Sequence, residues 1–305
     1  MSRYEAWEGV GYIMRILFEE SETIEKITDL AEPIADATRA GDRTATDTPE
    51  ALRPVRLSAL RRRIRALETP SLEGENGAVR RLCFGVPAID NGLPWGGLAL
   101  GGVHEIIEAE DSAGGGAALG FCAAMLARLS AAGGLVLWCQ RGSIAGRGEL
   151  YAPGLAGFGL DPSRLILVRA RNDDDLLWAM QEGLRCGRLA AVVGEPRKLG
   201  LSKARRLQLA AENRGVPGFL LRAPGARREP GTALTRWRLA ALPGEAPSSS
   251  SSPVERPRWR AELLRARGGS PNVWFMEWCH ETRNFSLATP FCDRPAEPAP
   301  RRLAV

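Results

Sequence analysis

The sequence predicts an α/β protein with a mostly parallel sheet, helices on both faces and an antiparallel extension near its carboxyl end. Three observations support this fold class. Short apolar segments alternate with amphipathic helical segments between residues 104 and 223. A glycine-dense segment joins the first strand to the first of these helices. Beyond residue 232, strand-like segments follow one another without intervening helices, which is typical of antiparallel strands.

The predicted parallel strands are short, apolar and separated by helices of ordinary length. We expect them over residues 104–107, 135–139, 164–170, 189–195 and 218–223. The helix after the glycine-dense segment has its apolar face at Leu119, Ala123, Leu126 and Leu129. Two further helices are expected over residues 174–187, with Asp173 or Asp174 near the N-terminus, and over residues 203–215.

The predicted antiparallel extension covers three strand-like regions, residues 232–244, 258–269 and 272–288. The segment WFMEW places Trp274, Met276 and Trp278 on one face of a strand, and we expect this face in the core. A serine-rich loop, residues 244–257, separates the first two regions.

The chain divides by composition into four parts. Residues 1–50 carry twelve acidic and five basic residues, and we expect them to be an acidic, partly disordered appendage. We expect a basic amphipathic helix over residues 51–70. The α/β domain is expected over residues 78–290, and a disordered tail rich in proline and arginine over residues 291–305.

Charge and composition limit the classes of function. Residues 51–305 hold thirty-six basic and twenty-four acidic residues, which suits an anionic partner such as nucleic acid and equally suits a solvated, arginine-rich surface. No apolar run approaches the ~20 residues that span a bilayer, and the first residues are a poor signal peptide. We therefore expect a cytoplasmic protein without membrane contact. Six cysteines without a CxxC pair and only two histidines predict reduced thiols and no metal site.

The segment HEIIEAEDSAGGGAAL, residues 104–119, has the layout of a phosphate-binding loop: a strand, a glycine-rich turn and a helix. A working loop needs a lysine for the β- and γ-phosphates and a hydroxyl for Mg²⁺. No lysine occurs between Lys26 and Lys198. Three acids, Glu108, Glu110 and Asp111, surround the place of the phosphates, where like charge opposes a polyphosphate.

Longer segments resemble known families. FGVPAIDNGLPWGGLALGGVHEI resembles the entry to the ATPase core of RecA recombinases, and this resemblance covers about residues 80–288. GLPWGGLALGGVHEI, RRLQLAAENRGV, RWRAELLRARGG and WFMEW resemble the ImuA family, RecA-like accessory proteins of bacterial damage-inducible mutagenesis cassettes. The resemblance implies a RecA-like core of the P-loop type and a role in SOS mutagenesis and translesion DNA synthesis.

Alignment with the RecA pattern leaves three catalytic positions unmatched. In the phosphate loop, the first glycine, second glycine, lysine and hydroxyl positions are taken by Glu108, Ala113, Gly114 and Gly115, with Gly116 next. The acid at the end of strand 189–195 is replaced by Gly194; Glu195 would substitute only if the strand ended early. The water-activating glutamate is replaced by Arg141.

These losses predict a protein without ATPase activity and without a bound cofactor. The glycines and the amides at the start of the following helix keep the shape of an anion site, so residual anion binding is an alternative. A live ATPase with an unorthodox site is a further alternative.

The resemblance implies an adaptor or scaffold that acts with an ImuB-type relative of Y-family polymerases and an error-prone polymerase. RecA, DNA and self-association are further implied contacts. The alternatives are a SulA-like inhibitor of cell division and a RecA paralogue that binds single-stranded DNA. On an arginine-rich strand, Arg258 and Arg260 share one face and Trp259 points to the other. Arginines beside an exposed Trp259 could contact DNA or a partner; the alternative is a half-buried strand with solvated arginines. The arginines are Arg256, Arg258, Arg260, Arg265 and Arg267.

Overall fold

The computed structural model describes residues 79–110, 116–142, 150–244 and 256–288. Within these ranges the strands are β1 (Arg81–Leu82), β2 (Leu98–Ala99), β3 (Val103–Glu108), β4 (Leu135–Arg141), β5 (Leu165–Ala170), β6 (Leu189–Gly194), β7 (Gly218–Arg222), β8 (Thr235–Leu242), β9 (Arg258–Ala266), β10 (Asn272–Cys279) and β11 (Asn284–Leu287). The α-helices are α1 (Pro87–Asp90), α2 (Ala117–Leu129), α3 (Ala152–Gly157), α4 (Asp173–Cys186) and α5 (Leu201–Arg214). Short 3-10 turns cover Ser130–Ala132, Pro162–Arg164 and Pro224–Arg228.

Strands β3 to β11 form one mixed sheet in the order β11-β10-β9-β8-β3-β7-β6-β4-β5. The six strands from β8 to β5 in this order run parallel to their neighbours. Strands β9, β10 and β11 continue the sheet in antiparallel pairs. The predicted α/β class, with its mostly parallel sheet and antiparallel extension, is therefore confirmed.

The two faces of the sheet are covered by different helices, as predicted. One core contains the buried side of α2 and inward residues such as Ile106 and Trp138. The other contains the buried residues of α4 and α5, with Val103 and Val192 from the sheet. Because side chains alternate along a strand, β3 contributes to both cores, and its apolar sequence follows from burial on both sides.

The α2 face of the antiparallel extension is also core. Trp274, Met276 and Trp278 are buried together on this face, which confirms the prediction for WFMEW. Trp259 on β9 lies on the same side of the sheet, and its ring centroid is 5.8 Å from that of Phe121 on α2. Aromatic packing thus fixes α2 against the extension.

Helix α4 begins at Asp173, one residue before the predicted range of 174–187 and at one of the two acids expected near its N-terminus. Asn172 is its N-cap, and the Asn172 side chain accepts a hydrogen bond from the Asp175 amide at 2.8 Å. Asp173, Asp174 and Asp175 occupy the first turn, where their charge complements the helix dipole. The helix ends at Cys186, and the next residue, Gly187, has a φ of 71°, the left-handed conformation that glycine adopts most readily.

A buried polar chain joins β3 to β8 and to β2. Nε2 of His104 is 2.7 Å from the Ala99 carbonyl, so this nitrogen carries the proton and donates. Nδ1 then accepts from the Thr235 hydroxyl at 2.8 Å, and that hydroxyl accepts from Trp237 Nε1 at 2.8 Å. Burial lowers the pKa of His104 from 6.5 to about 4, which keeps the ring neutral at pH 7.

Several predicted segments lie outside the described residues: residues 1–50, 51–70 and 291–305, and the loop positions Ala113, Gly114 and Gly115. In the described ranges, no helix has the length and apolar character that crossing a bilayer requires. Cys122 and Cys139 are free, buried thiols, as expected from their apolar segments. Burial raises the pKa of Cys139 to about 12.

Candidate functional site at the carboxyl edge of the sheet

The candidate site lies at the carboxyl ends of β3, β4 and β6, the edge at which open α/β sheets bind their ligands. Glu108 is the last residue of β3 and the first position of the degenerate phosphate loop. Its two carboxylate oxygens accept hydrogen bonds from the first amides of α2. Oε1 accepts from Ala117 at 3.2 Å, and Oε2 accepts from Ala118 at 2.9 Å.

This arrangement places a carboxylate at the start of α2, where a phosphate-binding loop would hold phosphate oxygens. The first amides of a helix have no partner within the helix, and they favour an anion. The residue before α2 is Gly116, whose φ of 93° makes it a left-handed cap without a side chain. Glu108 therefore supplies the capping group that Gly116 lacks. The carboxylate occupies two of the amides that a bound phosphate would need.

At Gly194, where the RecA pattern predicts an acid, the space for a side chain is filled by a neighbouring residue. A Cβ atom added at Gly194 would lie 2.0 Å from Sδ of Met180 and 3.0 Å from its Cγ. Met180 is a fully buried residue of α4. An aspartate at residue 194 would thus collide with the packed core, so the methionine and the glycine are complementary in size.

Glu195 is the one acid that directly follows β6, because β6 ends at Gly194. Its backbone amide continues the ladder by donating to the Cys139 carbonyl at 3.1 Å. Its carboxylate accepts from Trp138 Nε1 at 2.7 Å. Burial, and then the negative charge of Glu195, raise the pKa of the Cys122 thiol on α2. The hydrogen-bond ladder thus extends past Gly194 to Glu195, and the Glu195 carboxylate accepts from a buried indole.

The third position, Arg141, is the last residue of β4 and forms an ion pair. Its Nη1 atom is 4.0 Å from Oδ1 of Asp173, the first residue of α4. Asp173 also accepts from the amides of Arg197 and Lys198, at 3.0 and 3.1 Å. Arg141 therefore helps to fix α4 and the loop after β6, and it brings a positive charge to the carboxyl end of β4.

The predicted site residues thus lie along one edge of the sheet, and each fits against a neighbouring residue of the protein. Glu108 caps a helix, Gly194 makes room for Met180, and Arg141 pairs with Asp173. Among the described residues, no group of three metal-binding side chains exists that could hold Mg²⁺. Of the predicted phosphate-loop layout, the structure describes strand β3 and helix α2.

The arginine-rich strand differs from both predicted arrangements. Trp259 is 2% exposed, so the expectation of an exposed aromatic beside the arginines is wrong. Arg258 is 3% exposed, so the alternative of solvated arginines is wrong for this residue. As predicted, Arg258 and Arg260 share a face that does not include Trp259, since the strand alternates.

All five candidate arginines contact an acid or a carbonyl. Glu277 on β10 is 3.0 Å from Arg256 and 3.7 Å from Arg258. Glu262 is 2.6 Å from Arg260. Arg267 pairs with Glu212 at 3.4 Å, and Arg265 donates to the Gly231 carbonyl at 2.7 Å. Much of the positive charge on this strand is therefore balanced within the protein.

One buried ionic cluster was not predicted. Glu105 on β3 is 2% exposed; it accepts from Arg236 Nε at 2.6 Å and lies 3.9 Å from Nε of Arg222. Arg222 also pairs with Glu229. The same face of the extension carries Arg238, 3.0 Å from Glu262. A pattern in the sequence could have predicted this cluster. Arginine and glutamate alternate with apolar residues at strand spacing, which indicates cross-strand ion pairs.

The fold and site together define an α/β protein with a mixed sheet, in which Glu108 at the end of β3 accepts hydrogen bonds from the first amides of α2. Protein ImuA of Caulobacter vibrioides is similar to this chain, in strain NA1000 / CB15N and in strain ATCC 19089 / CIP 103742 / CB 15. Each relative is 38% identical over 226 residues, which is 70% of this chain and 90% of the relative. The chain belongs to the ImuA family. A scan of protein-family models gave no match.

Proposed function

We propose that this protein is a RecA-like accessory protein of SOS-induced mutagenesis and translesion DNA synthesis that has no ATPase activity. In this role it is an adaptor or scaffold for an ImuB-type relative of Y-family polymerases and for an error-prone polymerase. RecA is a further candidate partner. The location that fits this work is the cytoplasm, close to DNA.

The observation that carries the absence of catalysis is the Glu108 cap. A nucleotide would have to displace a carboxylate that already makes two charge-assisted hydrogen bonds to the start of α2. Its own phosphates would then lie beside that displaced negative charge. Two further residues oppose ATP hydrolysis. Met180 fills the space that a Mg²⁺-binding acid at residue 194 would need, and Arg141 stands at the position of the general base.

The adaptor role is supported by family membership and by what the fold retains. Without nucleotide chemistry, the protein still offers a broad sheet covered by helices, whose surfaces can bind other proteins. The paired state of the arginine-rich strand favours protein contacts over DNA contacts, since nucleic acid would have to compete with Glu262 and Glu277 for the arginines.

The test measures two properties on one preparation of full-length protein. The first is binding of the ImuB-type protein from the same organism, by co-purification and by analytical ultracentrifugation. The second is Mg²⁺-dependent binding of a fluorescent ATP analogue, with a catalytically active RecA recombinase as the positive control. We expect a stable complex with the ImuB-type protein and no nucleotide binding at 1 mM analogue, roughly the upper limit of ordinary substrate affinities.

Each result has a separate consequence. Saturable, Mg²⁺-dependent nucleotide binding would contradict the non-catalytic assignment. Absence of the complex under conditions in which both proteins are folded would contradict the adaptor role. Recovery of the tubulin-like division protein instead would replace it with the SulA-like alternative.

A further inference from the structure

Strands β8, β9 and β10 turn one face toward the core that contains α2 and a second face away from it. Because side chains alternate along each strand, the two faces differ in composition. The face toward α2 is apolar and buried, whereas the second face carries charged and partly exposed side chains. Five residues of the second face form what we call the extension surface: Arg238 on β8, Arg260 and Glu262 on β9, and Val273 and Phe275 on β10.

The strand register places the residues of the extension surface side by side. Arg260 lies directly opposite Phe275, and Glu262 lies between Arg238 and Val273. Neighbouring strands are about 4.8 Å apart, and residues two positions apart on one strand share a face. One short bound segment can therefore contact the guanidinium groups and the apolar side chains at the same time.

Glu262 is shared by two arginines. Its Oε1 atom is 2.6 Å from Nη2 of Arg260, and its Oε2 atom is 3.0 Å from Nε of Arg238. One carboxylate carries one negative charge and two guanidinium groups carry two positive charges, so this group of three side chains has a net positive charge. On the same face, Glu277 is likewise shared by two arginines. The internal ion pairs thus order the arginines without neutralising the surface.

The extension surface is accessible to a partner. The Arg260 side chain is 38% exposed, and Val273 is 45% exposed. Phe275, opposite Arg260, is half-buried. An exposed aliphatic side chain beside an exposed guanidinium group offers apolar and charged contacts together, which is the combination found in protein interfaces.

The glutamates favour one class of anionic partner over another. Nucleic acid brings a phosphate with every nucleotide, and its phosphates would lie beside Glu262 and Glu277 as well as beside the arginines. A peptide segment can place a few carboxylates at the guanidinium groups, whose geometry they match, and aliphatic side chains on Val273. The charge and composition of the extension surface therefore fit an acidic protein segment.

We propose that the extension surface binds a segment of a partner protein in which acidic and apolar residues alternate. Carboxylates of the segment contact the guanidinium groups of Arg238 and Arg260, and its apolar side chains pack on Val273 and Phe275. This inference rests on the proposed adaptor function, since it states where a partner is held and by what chemistry.

The test uses the full-length protein and three fluorescently labelled probes: the peptide Asp-Leu-Asp-Val-Asp-Leu-Asp, the same peptide with asparagine in place of every aspartate, and a short oligothymidylate. Binding is measured by fluorescence anisotropy. We expect the acidic peptide to bind with a Kd on the order of 100 μM or tighter, as fits a short flexible segment. The asparagine peptide and the oligothymidylate should each bind at least about 10-fold more weakly.

Variants that keep the fold, as checked by circular dichroism, test the charges one at a time. Arg260→Gln keeps the length of the side chain and removes its charge, so it should weaken binding of the acidic peptide at least about 5-fold. Glu262→Gln removes the negative charge between the two arginines and should strengthen binding at least about 3-fold, which damage to the structure would not do. Arg205→Gln, the same change at an exposed arginine of α5, is the matched control and should leave binding unchanged.

A second variant tests the apolar contact and does not depend on a buried position. Val273→Asp changes an exposed side chain, so the protein should stay folded. It removes the apolar contact and adds a like charge, so binding of the acidic peptide should weaken at least about 10-fold.

The inference is overturned if the asparagine peptide or the oligothymidylate binds as tightly as the acidic peptide. It is also overturned if Arg260→Gln or Val273→Asp binds like the parent, or if no binding occurs at 1 mM acidic peptide, about tenfold above the expected Kd. Absence of peptide binding while the complex with the ImuB-type protein forms would overturn this inference alone. Peptide binding without that complex would contradict the proposed adaptor function alone.

Discussion

Replacement of Glu108 by alanine tests whether the carboxylate at the end of β3 now serves the structure. The change removes both acceptors at the start of α2 and leaves the Ala117 and Ala118 amides without their protein partner. Because ten of the thirteen residues of α2 are buried, weakening its first turn should be felt by the whole α2-side core. We expect a fully folded but less stable protein.

The magnitude follows from two contributions. Loss of an N-capping side chain costs about 0.5–2 kcal/mol, and loss of a negative charge near a helix N-terminus costs about 0.3–1 kcal/mol. Partial exposure of Glu108 lets water replace some of the lost interaction, which favours the middle of the combined range. The free energy of unfolding should therefore fall by about 2 kcal/mol, and Tm by roughly 4–8 °C for a domain of this size.

The measurement is urea-induced unfolding followed by circular dichroism, together with thermal unfolding of the same samples. Glu108→Gln should lie between the parent and Glu108→Ala, because it keeps one acceptor and loses the charge. Glu110→Ala is the matched control: Glu110 is exposed in the same loop, and its loss should change stability by no more than about 0.5 kcal/mol. Unchanged stability of Glu108→Ala, or greater stability, would refute the cap.

Three further predictions concern buried positions. Gly194→Ala should lower the free energy of unfolding by about 1–3 kcal/mol, because the added methyl group collides with Met180. In denaturant titrations, Met180→Ala should offset part of this loss in the double variant. Additive losses of the two substitutions would contradict the packing explanation. The pKa of His104 is lower in the folded protein, so the unfolded chain binds the imidazole proton more tightly. The contribution of His104 to the free energy of unfolding is therefore complete above pH 6.5, and it falls by about 3 kcal/mol as the pH drops to about 4. Urea midpoints between pH 4 and 7 should therefore fall more steeply with acid for the parent than for His104→Gln, and parallel profiles would contradict the assignment. Glu277→Ala removes the carboxylate 3.7 Å from buried Arg258 and should lower the free energy of unfolding, measured in urea, by about 1–3 kcal/mol. A change within 0.5 kcal/mol, about that of an ordinary surface substitution, would show that the ion pair does not stabilise the fold.

The fold was largely predictable because each strand and helix has a clear local pattern. Apolar segments such as Leu135–Arg141 are bounded by glycine or polar turns, and helix α4 has acidic residues in its first turn and a glycine after its end. The separation of parallel and antiparallel strands followed from the presence or absence of connecting helices. Strand order and register depend on long-range pairing, which single-sequence patterns do not encode.

The sequence predicted the candidate site only as a set of positions at which residues of the RecA pattern are missing. The sequence shows that Gly194 replaces an acid, but it does not show that Met180 occupies the space, since this depends on how α4 packs on β6. Likewise, Glu108 was interpreted as a charge that opposes phosphate. Its hydrogen bonds to α2 bridge nine and ten residues, outside the short-range patterns by which helix caps are recognised.

If the protein has no ATPase activity, as we propose, the structure gives a physical reason why changing a single position to the RecA pattern would not supply this activity. A lysine in the glycine turn would still find the α2 amides bound to Glu108, and an aspartate at residue 194 would still meet Met180. A glutamate at residue 141 would stand near Asp173, turning an attractive pair into a repulsive one. Glu108, Gly194 and Arg141 each fit a neighbouring element, so we expect each single change to lower stability. Under the proposed function, ATP hydrolysis would therefore require coordinated changes in β3, β4, β6 and α4.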